Sequence, residues 1–171
     1  MKLLTVTEIN LLSRDEFVRV IGPVFEQSPW VAEAAWSRQP FASREALHAV
    51  LCMTVTGASL EKQLALIRLH PDLAGRLVAA GALTPESTRE QALAGLDRLT
   101  PEEIELFKKN NDAYRGKFGF PFVICARLNR TETILDGFRT RLPNSREQEI
   151  QTALREIFKI AGLRLNDLIS N

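Results

Sequence analysis

One stretch of this sequence reads as a β-strand, Phe118 to Ala126 (FGFPFVICA), and nothing else in the chain could pair with it. A lone strand cannot satisfy its own edges, and even a two-stranded hairpin is marginal in water. The run is therefore expected as a buried loop, or as a helix start following Pro121, and the fold as all-α. Side-chain oxygens suited to cap the orphan amides of helix starts recur throughout the rest. They are Ser13 with Glu16, Ser28 before Pro29, Ser43 before REALHAVL, Ser59 before LEKQLALIRL, Thr100-Pro101-Glu102-Glu103, and Ser145 with Gln148. Between them apolar residues return every three or four positions, as in Ile104, Leu106 and Phe107 with Lys108 and Lys109 outside. The last segment is the most regular, with Ile150, Leu154, Ile157 and Ala161 on one stripe and Leu168 in phase. With 171 residues and no repeat or linker, the chain is expected to form a single compact multi-helix domain over 1–171.

Charge excludes one class of partner. Lys and Arg total 22 against 21 Asp and Glu, a net charge of +1 that gives no nucleic-acid footprint. The basic cluster Arg127, Arg130, Arg139 and Arg141 is interleaved with Glu132 and Asp136 and reads as a solvated face. Cys52 and Cys125 sit among apolar neighbours and read as reduced core thiols, with neither a disulfide framework nor metal-ligand spacing. No stretch approaches the roughly 20 apolar residues that span a bilayer, and MKLLTVTEINLLSRDEF lacks a signal-peptide core. A cytoplasmic protein is expected, with no membrane partner.

Four residues invite a chemical reading. His48 lies mid-helix in REALHAVLCM and reads as structural. His70 ends LEKQLALIRL and precedes Pro71, which pushes it out of helical geometry. Asp72 can then cap a short helix, LAGRLVAA, closed by Gly81. At such a junction His70 is equally a helix C-cap or a proton-handling group. Glu90 stands at capping-box spacing from Ser87, which would open a helix through ALAGL; alternatively it faces the junction and orients the imidazole. Arg164 occupies the apolar stripe of the last helix, where a guanidinium must reach water or meet an anion. There is no GxSxG elbow, no phosphate-cradling glycine loop and no GxGxxG.

Four motifs in order carry a resemblance: His70-Pro71-Asp72-Leu73-Ala74-Gly75, Ser87-Thr88-Arg89-Glu90-Gln91, Lys117 to Ile124 (KFGFPFVI), and Lys159 to Leu165 (KIAGLRL). Together they resemble the 2-oxo-4-hydroxy-4-carboxy-5-ureidoimidazoline (OHCU) decarboxylase family over nearly the whole chain. The resemblance implies an all-helical fold, commonly a homodimer, and conversion of OHCU to S-allantoin and CO2 in urate breakdown, without cofactor or metal. It makes His70 the catalytic histidine, which protonates one face of the enolate left by CO2, with Glu90 bonded to it or to the ligand. Pro71, Ser87, Thr88, Arg89, Glu90 and Gln91 then line the substrate site. Main-chain groups of Phe122, Val123, Ile124, Cys125 and Ala126 meet the polar atoms of the ureide, and Arg164 binds from the last helix. Thr88 departs from the serine common in the family but keeps the hydroxyl. Two other readings stand beside this one: a cyclic-ureide hydrolase using the same pair, and a non-catalytic ureide-binding helical module.

Overall fold

The computed structural model describes residues 3–74 and 83–170. Its helices are α1 (Val6–Asn10), α2 (Arg14–Ile21), α3 (Trp30–Trp36), α4 (Arg44–Thr56), α5 (Leu60–Leu69), α6 (Pro85–Leu93), α7 (Pro101–Phe118), α8 (Thr131–Arg141) and α9 (Arg146–Leu168). Short 3-10 turns occupy Gly22–Val24 and Ala126–Leu128. Among the described residues there is no strand, only an isolated parallel bridge between Leu4 and Ile169. The chain is all-α, as its capping pattern indicates. The short helix expected over 73–80 and its closing Gly81 fall mostly at 75–82, outside the described residues.

Most helices start at the expected side chain. Ser13 with Glu16 and Thr100 with Glu103 form reciprocal capping boxes. Ser145 and Gln148 exchange the same two bonds, at 2.8 and 3.2 Å. Ser43 accepts the Ala46 amide at 3.1 Å. Two starts differ. Pro29 rather than Ser28 precedes α3, and the buried Ser28 hydroxyl has no hydrogen-bond partner among the described residues. Thr84 rather than Ser87 caps α6, because Pro85, with its fixed φ, suits the first helical position and starts the helix earlier.

Packing divides the chain into two units. The first contains α1–α5 and the end of the chain from Phe158. There α3 packs on both α2 and α4, and Phe17 stacks on Phe41 with 5.9 Å between ring centroids. Leu47, Leu51, Val55, Leu66, Ile67, Ala161 and Leu165 complete a buried apolar core. The main chain closes it, with Leu4 donating to Leu168 and Ser170 donating to Leu4, each at 2.9 Å.

The second unit, His70–Ile157, has an aromatic core. On α7 the buried positions are Phe107, Asn111, Tyr114 and Phe118. Ile104, one turn from the capped end, and Leu106, about 100° off the stripe, are instead exposed. Gly119 ends α7 at φ 77°, a left-handed cap that favours glycine. The chain then runs as a buried irregular segment, not a strand, through Phe120, Pro121, Phe122 and Val123. The Phe122 ring stacks on Phe138 at 3.9 Å and meets Tyr114 edge-on at 5.2 Å. Gly137 of α8 lies against it, and a Cβ there would stand 3.1 Å from Phe122 Cζ.

Gly137→Ala should therefore destabilise the protein. Helix propensity alone would gain about 0.5–1 kcal/mol. The ring is held on two sides, so overpacking of about 1–3 kcal/mol prevails. A urea midpoint equal to or above wild type would show that Phe122 can yield.

Candidate active site

Helix α5 stops at Leu69 because His70 precedes proline. This leaves the imidazole at the start of a non-helical segment, 7% exposed. Three side chains fix the segment that follows. Arg115 pairs with Asp72 at 2.8 Å, Asn111 Nδ2 donates to the Leu73 carbonyl at 2.9 Å, and Gln91 Oε1 accepts the Ala74 amide at 3.0 Å. Ala74 is held at φ 49°, a left-handed conformation that costs a non-glycine residue about 1–3 kcal/mol and is commonest at functional sites. Asp72 is thus bonded to Arg115.

The Gln91 bond joins this segment to α6. Ser87, Glu90 and Gln91 are buried, at 5%, 7% and 4% exposure, whereas Thr88 and Arg89 are exposed. The Thr88 hydroxyl donates back to the Thr84 carbonyl at 3.0 Å. Since Thr84 does the capping, the buried Ser87 and Glu90 are not explained as a capping box. Helix α6 also packs on the 3-10 turn Ala126–Leu128. Three stretches read separately in the sequence therefore share one unit: the segment after His70, the inner side of α6, and the end of the 118–126 run.

That run is gripped from outside. Arg141 Nη1 donates to the Val123 carbonyl at 2.7 Å, and its guanidinium lies 4.2 Å from the Phe122 ring centroid. Glu149, fully buried, holds Arg141 at 2.8 Å and accepts from Asn144 Nδ2 at 2.7 Å and from the Tyr114 hydroxyl. Burial pushes the Tyr114 phenol far above its usual range, so it stays a neutral donor. Glu156 accepts the Cys125 amide at 2.8 Å, and Asn129 Nδ2 donates to the Cys125 carbonyl at 3.0 Å. Phe122, Val123, Cys125 and Ala126 are buried and Ile124 is half-buried. A buried imidazole, carboxylate, hydroxyl and carboxamide within one unit are groups that can hold and move a proton.

In the other unit, Arg164 is 5% exposed and meets its anion within the protein. Its Nη2 lies 3.0 Å from Glu26 Oε2, and Nη1 donates to the Pro23 carbonyl at 3.2 Å. His48 is structural, with Nε2 bonded to the Phe158 carbonyl at 2.8 Å. Burial pushes the neighbouring Cys52 thiol up to about 11. Glu149, Glu156, Asn129 and Glu26 were not singled out by sequence, and Arg141 was read only as part of a solvated basic face. A signal existed for three of them. Arg141 is in phase with the buried Ile134 and Phe138, and Glu149 and Glu156 are in phase with Ala153 and Ile160.

The OHCU decarboxylase family model matches residues 10–166. A 2-oxo-4-hydroxy-4-carboxy-5-ureidoimidazoline decarboxylase of Halalkalicoccus jeotgali is 47% identical, over 96% of this chain and 92% of its own. One from Amia calva is 44% identical, over 95% and 93%. A crystal structure of (S)-allantoin synthase has TM-score 0.79 at 29% identity; the match covers 97% of this chain but only 54% of that one. A crystal structure of OHCU decarboxylase in the presence of (S)-allantoin, 24% identical, shares the fold at TM-score 0.66 over 81% of this chain.

Removing one partner of the buried Arg164–Glu26 pair should be costly. Glu26→Ala is expected to lose about 3–5 kcal/mol in denaturant unfolding, and a loss under about 1 kcal/mol, the range of exposed pairs, would mean that water reaches the guanidinium. Cys52 should resist iodoacetamide at pH 8 and become reactive as pH approaches its raised value of about 11. Rapid labelling at pH 8 would contradict that shift.

Proposed function

Because this chain belongs to the OHCU decarboxylase family, we infer that it is a carboxy-lyase of urate degradation, converting OHCU to S-allantoin and CO2. The observation that carries the assignment of roles is the burial of His70, Ser87, Glu90 and Gln91 in one unit, with Gln91 bonded to the segment that His70 begins.

The substrate's name defines the chemistry. One ring carbon bears both hydroxyl and carboxyl and is tetrahedral, so the ring double bond of the imidazoline falls at the neighbouring ureido carbon, as C=N. When the C–C bond to the carboxylate breaks, its electron pair forms a new C=C bond with that carbon, and the C=N pair moves to nitrogen. CO2 departs and the nitrogen takes a proton. The product is a planar enol, which becomes allantoin when the ureido carbon gains a proton and the hydroxyl loses one to become a ring carbonyl. The ring supplies its own electron sink, so the protein's task is to hold, shield and protonate.

In this reading His70 delivers the proton to one face of the ureido carbon, and Glu90 orients the imidazole. A positioned proton donor contributes about 10²–10⁴-fold. Ser87, Gln91, Pro71 and the main chain of 122–126 hold the ureide. The exposed Thr88 and Arg89 contribute less than the buried members of their motif. We also propose a cytoplasmic homodimer, which sedimentation tests: a mass near twice 19.2 kDa supports it and one near 19.2 kDa refutes it.

Circular dichroism during turnover tests the reaction. With OHCU generated enzymatically in situ, wild type should build an S-allantoin signal as CO2 is released. His70→Asn should fold yet leave an optically silent mixture, because an enol protonated in solution takes the proton on either face. An S-selective His70→Asn would remove the proton-donor role. Glu90→Gln should lower kcat without changing the melting curve, and unchanged kinetics would make Glu90 structural. Ammonia release without CO2 would favour the hydrolase, and identical decay with and without protein the binding module.

A further inference from the structure

We infer that Glu156, Arg141 and Asn129 are positioning residues, which turn the main chain at Ile124 into a fixed clamp for the ureido part of the substrate. The inference rests on the reading above, in which the 122–126 main chain meets the substrate.

The argument begins with the peptide unit. It is planar, and in its trans form the carbonyl and the following amide point in opposite directions. The bonds from Val123 to Ala126 are trans, the one cis bond among the described residues being Gln39–Pro40. Gripping one edge of such a plane therefore aims the other edge away. Arg141 takes the Val123 carbonyl at 2.7 Å, so the Ile124 amide points away from Arg141. Glu156 takes the Cys125 amide at 2.8 Å, so the Ile124 carbonyl points away from Glu156. Asn129 Nδ2 and the Leu128 amide take the Cys125 carbonyl at 3.0 and 3.1 Å, which aims the Ala126 amide the other way. Three consecutive peptide planes are each held on one edge.

The opposite edges present two donors and one acceptor. Among the described residues the Ile124 amide, the Ile124 carbonyl and the Ala126 amide have no hydrogen-bond partner. Ile124 is also the least buried residue between Phe120 and Ala126. Ile124 lies in a segment with neither helix, strand nor turn. A donor and an acceptor on one residue match a group that offers an oxygen acceptor and an N–H donor, as the edge of a ureide does. The Ala126 amide lies beyond them as a second donor for a carbonyl or enol oxygen.

Glu156 is the most informative of the three. Its carboxylate makes a charge-assisted bond to a neutral amide, and it is only half-buried, so its replacement leaves no large void. Arg141 carries the core network as well and is a poorer test.

The experiment compares Glu156→Ala with Glu156→Gln, whose amide oxygen can still accept the Cys125 amide. In Glu156→Ala the Cys125 plane is free to rotate. KM for OHCU should rise and (S)-allantoin affinity fall by about tenfold or more, misplacement near 1 Å being worth up to about 10²-fold. Glu156→Gln should recover most of both. A merely structural role would lower the melting temperature while leaving KM and allantoin affinity of the folded protein unchanged, and that result overturns the clamp. If Glu156→Ala does not fold, Asn129→Ala decides on the same two readouts. Wild type is assayed in parallel. Its failure to release CO2 would overturn the proposed reaction, whereas an active wild type with an indifferent Glu156→Ala overturns the clamp alone.

Discussion

A buried stretch of irregular backbone must find partners for its amides and carbonyls, because each one left unpaired away from water costs as much as a lost hydrogen bond. Between Gly119 and Ala126 the chain is buried and has neither helix nor sheet to supply those partners. For the Val123 carbonyl and for the Cys125 amide and carbonyl they come from side chains of the surrounding elements: Arg141 at the end of α8, Glu156 on α9, and Asn129 beside the 3-10 turn. Much of the second unit follows from this requirement. Arg141 needs an anion, Glu149 provides it, and Glu149 in turn collects Asn144 and the Tyr114 hydroxyl. One carbonyl in a loop thereby ties together α7, α8 and α9.

Such a network is poor evidence of stability in itself, since the desolvation of two buried charges offsets most of their attraction. Its value lies in uniqueness. Apolar residues of similar volume could replace the Arg141–Glu149 ion pair itself with little loss of free energy, but the Val123 carbonyl would then lack its partner, which carries its own cost. The Phe122 ring, stacked on Phe138 and lying under the guanidinium, would lose one of the faces that fix it. A satisfied polar network selects one arrangement of the run among several of similar energy.

The fold was legible because its signals are local. Capping boxes such as Ser13–Glu16 and Thr100–Glu103 need only four residues to be recognised. The misassigned starts, Ser28 and Ser87, are places where a nearby proline moved the helix start and left the serine outside the capping role. The motifs around His70 and Glu90 could be read as segments, but which of their members are buried could not. The burial of Ser87, Glu90 and Gln91 beside exposed Thr88 and Arg89 depends on the phase of α6, which Thr84 sets. Long-range pairs were least legible. Arg164 on an apolar stripe required some anion, yet Glu26 stands 138 residues away. Arg141, read as part of a solvated basic face, is half-buried and bonded to the fully buried Glu149, and only its phase with Ile134 and Phe138 hinted at this.

The distribution of charge in the second unit suits a decarboxylation in particular. A free cation placed against the departing carboxylate would stabilise the ground state more than the transition state and slow the reaction. Two arginines of the second unit are already matched: Arg141 by Glu149 at 2.8 Å and Arg115 by Asp72 at 2.8 Å. Each guanidinium serves as scaffolding, one for the Val123 carbonyl and the other for the turn after His70. In the proposed clamp, what the main chain offers a ureide is neutral: peptide donors and an acceptor whose directions are set by groups behind them. Neutral, fixed dipoles bind the departing carboxylate weakly and still favour the enol oxygen and ring nitrogen that gain charge as the C–C bond breaks. Pairing these two arginines with carboxylates keeps either from acting as a free cation that would grip a carboxylate.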